Sequence, residues 1–182
     1  MRTFLAMEIP DEIKRYLQTV NNTLSKHING VKWVKSEGQH ITLKFFGEIE
    51  EPLVWKLKDN LEYIGLKHSP FTLCLNQIDA FPSKKKARVI VVSLENGIDN
   101  IKEIFNDIED SVYFLGIEKD ERGFKPHITL GRNRIAADIT DKFISIEKKS
   151  FDVDAFELFK STLTSHGAIY TTLWKINLSK RH

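Results

Sequence analysis

His40-Ile41-Thr42-Leu43 recurs as His127-Ile128-Thr129-Leu130, 87 positions further along a chain of 182 residues, so each half of the molecule carries one copy. In a β-strand, residues i and i+2 point to the same side. Each copy therefore presents an imidazole and a hydroxyl on one face and turns its Ile and Leu into a core. Two such strands set face to face enclose a cleft holding two imidazoles and two hydroxyls. That set suits acid–base chemistry on a phosphate ester.

The segments around the two copies supply the rest of the fold. Thr3 to Ile9 reads as a strand, and Pro10-Asp11 opens a helix with Ile13, Leu17, Val20 and Leu24 at helical spacing. Val31 to Val34 is a short apolar run, and His40 to Phe46 is a strand closed by Gly47. A second helix from Pro52 carries Val54, Leu57, Leu61 and Ile64. Phe71 to Leu75 and Arg88 to Val92 are predicted strands on either side of a Phe81-Pro82-Ser83 loop that leads into Lys84-Lys85-Lys86. From Gly97 a third helix carries Ile101, Ile104, Phe105, Ile108 and Val112, and Pro126 forces an extended entry to His127. Asp138 to Phe143 is expected as a short helix, Phe151 to Phe159 as a strand, and Ile169 to Leu178 as a last strand reached through Gly167. Several strands are joined by turns too short for anything but antiparallel neighbours. The expectation is an α+β fold, one domain over residues 1–182 made of two similar, intertwined lobes.

Composition narrows the setting. A formal charge of +2 is too small for a protein that coats nucleic acid non-specifically, while a local basic surface remains free to take up a phosphate or an RNA end. Cys74 is the only cysteine and sits in an apolar alternation, which excludes a disulfide framework and a cysteine-based zinc knot and fits a reducing cytoplasm. The opening MRTFLAMEIP is too briefly apolar for a secretory leader, and no apolar run is long enough to span a bilayer. The expectation is a soluble, unprocessed, monomeric cytoplasmic protein with no membrane partner.

A single strand histidine is ordinarily a half-exposed, hydrogen-bonded side chain; the same arrangement occurring twice is what singles out His40 and His127. Neither is accompanied by an HxH, HExxH or Cys pair, so no metal and no cofactor are expected. One imidazole starts neutral and removes a proton from water, the other starts protonated and gives one to the leaving oxygen, and Thr42 and Thr129 hold non-bridging phosphate oxygens. Composition leaves open which histidine does which. Strict alternation puts Lys44 on the face of His40 and Thr42, where it would screen the phosphate. Lys84 to Lys86 read first as a solvated loop, with guidance of an RNA backbone past the Phe81-Pro82-Ser83 turn as the functional alternative. His27, His68, His166 and His182 lie in polar or loop contexts and are given no role.

A wider set of residues carries a resemblance: Arg2-x-Phe4-x-Ala6 with Ile9-Pro10, Val31-x-Trp33-Val34, His40-x-Thr42-Leu43-Lys44-Phe45-Phe46-Gly47-Glu48, and Ala80-Phe81-Pro82 before Arg88-Val89. It continues through Phe124-Lys125-Pro126-His127-x-Thr129-Leu130-x-Arg132 to Leu158, Ser161, Gly167 and Tyr170. Nearly end to end, the chain resembles the two-histidine (2H) phosphoesterase superfamily and, within it, the bacterial and archaeal RNA 2′,3′-cyclic phosphodiesterases also described as 2′-5′ RNA ligases. The resemblance implies a bilobal fold of two pseudo-twofold-related lobes of antiparallel sheet, with flanking helices around a central cleft. It implies metal-independent hydrolysis of a 2′,3′-cyclic phosphate, on RNA or a cyclic nucleotide, to a 2′-phosphate. His40 would be the proton donor and His127 the proton acceptor, and the reverse reaction would give 2′-5′ RNA ligation. Arg132 and Tyr170 match substrate-binding positions. Strict alternation turns Arg132 away from His127, so its role requires a bulge or the end of the strand near Gly131. The family often has Trp shortly after the Arg88-Val89 pair; Ile90-Val91 here bears on substrate preference and leaves the chemistry intact. The alternatives are a two-histidine enzyme acting on a 2′-5′ linkage, another cyclic nucleotide or an ADP-ribose cyclic phosphate, and a nucleotide- or RNA-binding module without turnover.

Overall fold

The computed structural model describes residues 1–180, so His182 lies outside the described residues. Nine strands and three helices follow in the order β1 (Arg2–Glu8), α1 (Asp11–Ser25), β2 (Val31–Trp33), β3 (His40–Glu48), α2 (Glu51–Lys67), β4 (Phe71–Pro82), β5 (Ala87–Glu95), α3 (Ile98–Tyr113), β6 (His127–Ala137), β7 (Ser150–Val153), β8 (Ala155–Thr164) and β9 (Gly167–Asn177). One sheet has the order β3-β1-β8-β9 and the other β2-β6-β5-β4-β7, with every pairing antiparallel. With β2 set aside the two orders match strand for strand. β3 corresponds to β6 and β1 to β5, and each pair brackets a helix, so the α+β class and the pseudo-twofold relation are both present.

The helices are exchanged between the halves. α1 leaves β1 of the first sheet yet packs against the second, where Asn21 Nδ2 donates to Leu130 O and to Val34 O, 3.3 Å each. α3 leaves β5 of the second sheet yet reaches the first, pairing Glu109 with Lys44 of β3 at 2.7 Å. The apolar positions read from helical spacing are the buried ones: Ile13, Leu17, Val20 and Leu24 on α1, Val54, Leu57, Leu61 and Ile64 on α2, and Ile101, Ile104, Ile108 and Val112 on α3. They share one core with Ile41 and Leu43 of the first motif and Ile128 and Leu130 of the second.

Three expected segments differ. Asp138 to Phe143 is a turn and extended chain, because Asp138 Oδ1 accepts from Thr140 N and Oγ1 and closes a side-chain turn that competes with a helix. Phe151 to Phe159 divides at Asp154 into β7 and β8, which lie in different sheets; its apolar pattern is right for both and cannot show the change of sheet. Phe81 and Pro82 close β4 and do not form a loop. Among the described residues no helix is long and apolar enough to cross a membrane.

Candidate active site

The two motifs fall on β3 and β6 with the same burial pattern, His and Thr half-buried and Ile and Leu buried. Both strands carry the same irregularity. Against β1 the partners step from Leu5↔Lys44 to Ala6↔Thr42, and against β5 from Ile90↔Gly131 to Val91↔Thr129, so each strand has one extra residue just after its threonine. A bulge of this kind reverses the alternation beyond it. Arg132 is thereby returned to the side of His127, and Phe45 to the side of His40.

The result is a cavity of about 520 Å³ lined on one wall by His40, Thr42 and Phe45 and on the other by His127, Thr129 and Arg132. Arg2, Thr3 and Phe4 of β1, Ser161 and Tyr170 of the β8–β9 pair, and Val34, Gly38 and Gly47 complete it. The structure thus brings together six of the seven residues singled out from the sequence. Lys44 is the exception. The bulge turns it away from His40, and its ammonium is buried against Glu109 with a second hydrogen bond to Glu118 O at 3.0 Å. Phe45 takes the place on the cavity wall that alternation gave to Lys44, and sequence reasoning missed it because a bulge has no marker in the side chains of β3.

The two walls differ where their sequences differ. Gly131 occupies the β6 position equivalent to Lys44, because β2 lies alongside β6 and no strand lies there beside β3. A methyl group at Gly131 would sit 2.5 Å from Val31 Cγ1 and 2.9 Å from Trp33 Cε3. Gly131→Ala is therefore expected to destabilise the protein by about 1–3 kcal/mol by pushing β2 off β6. Thermal melting tests this, and an unchanged melting temperature would mean that β2 does not pack on β6 as described.

The histidines are held by different forces. His127 Nδ1 lies 2.6 Å from Lys125 O. A carbonyl can only accept, so Nδ1 carries the hydrogen and the neutral ring keeps its lone pair on Nε2. Phe81 meets this ring edge-on at 5.0 Å. His40 is held by rings: Phe4 is stacked on it at 4.8 Å, Phe159 lies parallel at 6.2 Å, and Tyr170 approaches edge-on at 5.7 Å. Burial in this cluster, and then the charges of Lys14 and Arg132, lower its pKa to about 4. Burial also lowers His127, opposed by the hydrogen bond to Lys125 O and reinforced by Arg132. Among the described residues no group of three or more His, Cys, Asp and Glu side chains converges as metal ligands would.

The model of the LigT-like phosphoesterase family matches residues 7–91 and 92–170, one stretch for each motif. The chain belongs to this family. As a LigT-like phosphoesterase it is similar to curated relatives called RNA 2′,3′-cyclic phosphodiesterase. That of Methanocaldococcus jannaschii is 35% identical over 179 residues, covering 95% of this chain and 98% of the relative. That of Thermotoga maritima is 30% identical over 178 residues, covering 96% and 94%. Among solved structures, a Thermus thermophilus protein matches over 100% of both chains with a TM-score of 0.87 at 26% identity. Escherichia coli LigT complexed with 3′-AMP shares the fold, with a TM-score of 0.76 over 98% of both chains at 23% identity.

Proposed function

We propose that this LigT-like phosphoesterase hydrolyses 2′,3′-cyclic phosphate ends of RNA, and cyclic nucleotides of the same chemistry, to 2′-phosphates. The observation that carries this reading is the pair of His-Thr faces meeting across one cavity, with the Nδ1 hydrogen of one histidine already committed to a carbonyl. The curated relatives bear the matching name.

Water attacks phosphorus as His127 Nε2 takes its proton, the P–O3′ bond breaks, and His40 delivers a proton to O3′. Thr42 and Thr129 donate to the non-bridging oxygens, and Arg132 offsets the charge gathering there. A carbonyl-fixed tautomer suits the acceptor. An imidazole lowered to about 4 is a strong acid once protonated and suits the donor, provided that it takes up a proton with the substrate. The anionic phosphate supplies that shift, because a nearby negative charge favours imidazolium. With an RNA 5′-hydroxyl in place of water, the same attack on phosphorus and the same P–O3′ cleavage join two ends through a 2′-5′ linkage and leave a 3′-hydroxyl. Tyr170 sits edge-on to His40 and orients that ring at the cavity wall. Both histidines and both threonines come from one chain, so the reaction needs no residue from a second copy, and the single buried Cys74 supports a reducing cytoplasm.

Product analysis by chromatography and phosphorus NMR, on a 2′,3′-cyclic-phosphate-terminated oligonucleotide in EDTA, tests the reading. A 2′-phosphate is expected; a 3′-phosphate would reverse the leaving group, and absence of turnover would remove the hydrolase assignment. The pH dependence adds a second test. For kcat/KM, which reports the free enzyme, both limbs of the bell should lie below 6.5, since both histidines are lowered. For kcat, the bound phosphate raises His40 and moves the bell to higher pH. Superimposable profiles would contradict proton uptake by His40 on binding.

A further inference from the structure

Cations are not evenly matched over this molecule. Carboxylates answer some of them, as Lys14 with Glu8, Lys67 with Asp107, Lys119 with Asp110 and Lys148 with Glu95, while Arg15, Lys56 and Lys102 stand apart from one another on the helices without an ion pair among the described residues. On the cavity side of β6 cations are instead set next to each other. The β2–β6 register sets Lys32 directly opposite Arg132, and opposite partners in a ladder point to the same side. That side is the cavity's, because Arg132 lines the cavity while the neighbouring Gly131 faces Val31 and Trp33. Arg134 follows two residues beyond Arg132 on the same strand. All three are exposed, and among the described residues none of them is in an ion pair.

Like charges directly opposite on a ladder weaken it. β2 is only three residues long, and Lys32 is its exposed member between half-buried Val31 and Trp33. A polyanion laid across the row would reverse the sign of that interaction. The row also has a direction, since β6 runs outward from His127 through Thr129 to Arg132 and Arg134. Arg132 belongs to the cavity, whereas Lys32 and Arg134 lie beyond its lining. The opposite wall is built differently: Phe45 stands where the pseudo-twofold would repeat Arg132, no strand flanks β3 as β2 flanks β6, and its cation at the cavity is Arg2 alone, from β1. The lysine run is a poorer candidate, because Lys84 lies over the Phe143 ring at 4.6 Å and Lys85 lies close to Asp138, whose carboxyl is held low first by Thr140 and then by that lysine.

We infer that Lys32 and Arg134, continuing from Arg132, form a phosphate track for the single-stranded RNA leading up to the cyclic end. This rests on the phosphodiesterase reading and narrows its substrate to oligoribonucleotide ends, which gain contacts that a cyclic mononucleotide cannot reach.

The test compares kcat/KM for a hexaribonucleotide ending in a 2′,3′-cyclic phosphate with that for cytidine 2′,3′-cyclic monophosphate, between about 50 and 200 mM salt. In wild type the log–log salt slope should be steeper for the hexamer by about 1.4, from two phosphate contacts at roughly 0.7 each on a single strand. Lys32→Ala/Arg134→Ala should remove that difference, and Lys32→Arg/Arg134→Lys should keep it; mononucleotide kinetics serve as the internal reference. Equal slopes in wild type, or a hexamer slope that the alanine pair does not change, would overturn the track while mononucleotide turnover keeps the reaction standing. Turnover of neither substrate would overturn both.

Discussion

Alanine at His127 is expected to lower kcat by about two to four orders of magnitude, with alanine at His40 in the same range and the double variant no worse than the poorer single. The non-additivity follows from the roles. An acceptor and a donor acting on one displacement form a unit, so most of the loss comes with the first removal. The variants should separate on an activated substrate. A 2′,3′-cyclic phosphate opens with a ribose alkoxide, which must be protonated as it departs, whereas a nitrophenyl phosphodiester releases a group stable without a proton. His40→Ala should recover much of its loss on the nitrophenyl ester, and His127→Ala should not, because water still needs a base. Recovery by His127→Ala alone would exchange the two roles, and near wild-type kcat in either single variant on the cyclic phosphate would remove acid–base catalysis by this pair. Melting temperatures should accompany the rates, since removing His40 also removes a ring stacked on Phe4.

The proposed division of labour has its source outside the motifs. His40-Ile41-Thr42-Leu43 and His127-Ile128-Thr129-Leu130 are identical, and their strands carry equivalent bulges. What differs is the neighbouring strand and the approach to each histidine. Phe4 of β1 lies under His40, and Lys125 O, delivered by the extended chain at Pro126, fixes His127. Periodicity located α1, α2, α3, most of the strands and both His-Thr faces because each rests on a side-chain repeat sustained over several residues. It failed where one backbone residue changes the count. The bulge after Thr129 rescued Arg132, as its expected role required, and the matching bulge after Thr42 removed Lys44 from the site and brought in Phe45. The division at Asp154 was hidden because buried apolar residues stand on both sides of it, and only pairing shows that β7 and β8 belong to different sheets.

Lys44 has a different task, and disrupting it should have the largest effect on stability. Its side chain and that of Glu109 are 7% and 5% exposed, and each also holds the chain that leads toward His127: Lys44 Nζ donates to Glu118 O, and Glu109 Oε2 accepts from Asp120 N at 2.6 Å. One turn earlier on α3, Phe105 stacks on Phe124 at 4.3 Å, so one helix face grips the segment at two points before Lys125. Glu109→Ala leaves a buried ammonium without its counter-ion and a backbone N–H without its acceptor. The expected cost is about 3–5 kcal/mol, which at this chain length lowers the melting temperature by roughly 10 °C. Lys44→Met/Glu109→Leu removes both charges and should be milder than Glu109→Ala, although Asp120 N and Glu118 O still lose their partners. Well below their melting temperatures, both variants should also show reduced kcat with KM little changed, because the freed segment no longer holds Lys125 O against His127 Nδ1. A Glu109→Ala variant less than about 1 kcal/mol below wild type would fall in the range of a surface ion pair and would mean that this clamp is not formed in solution.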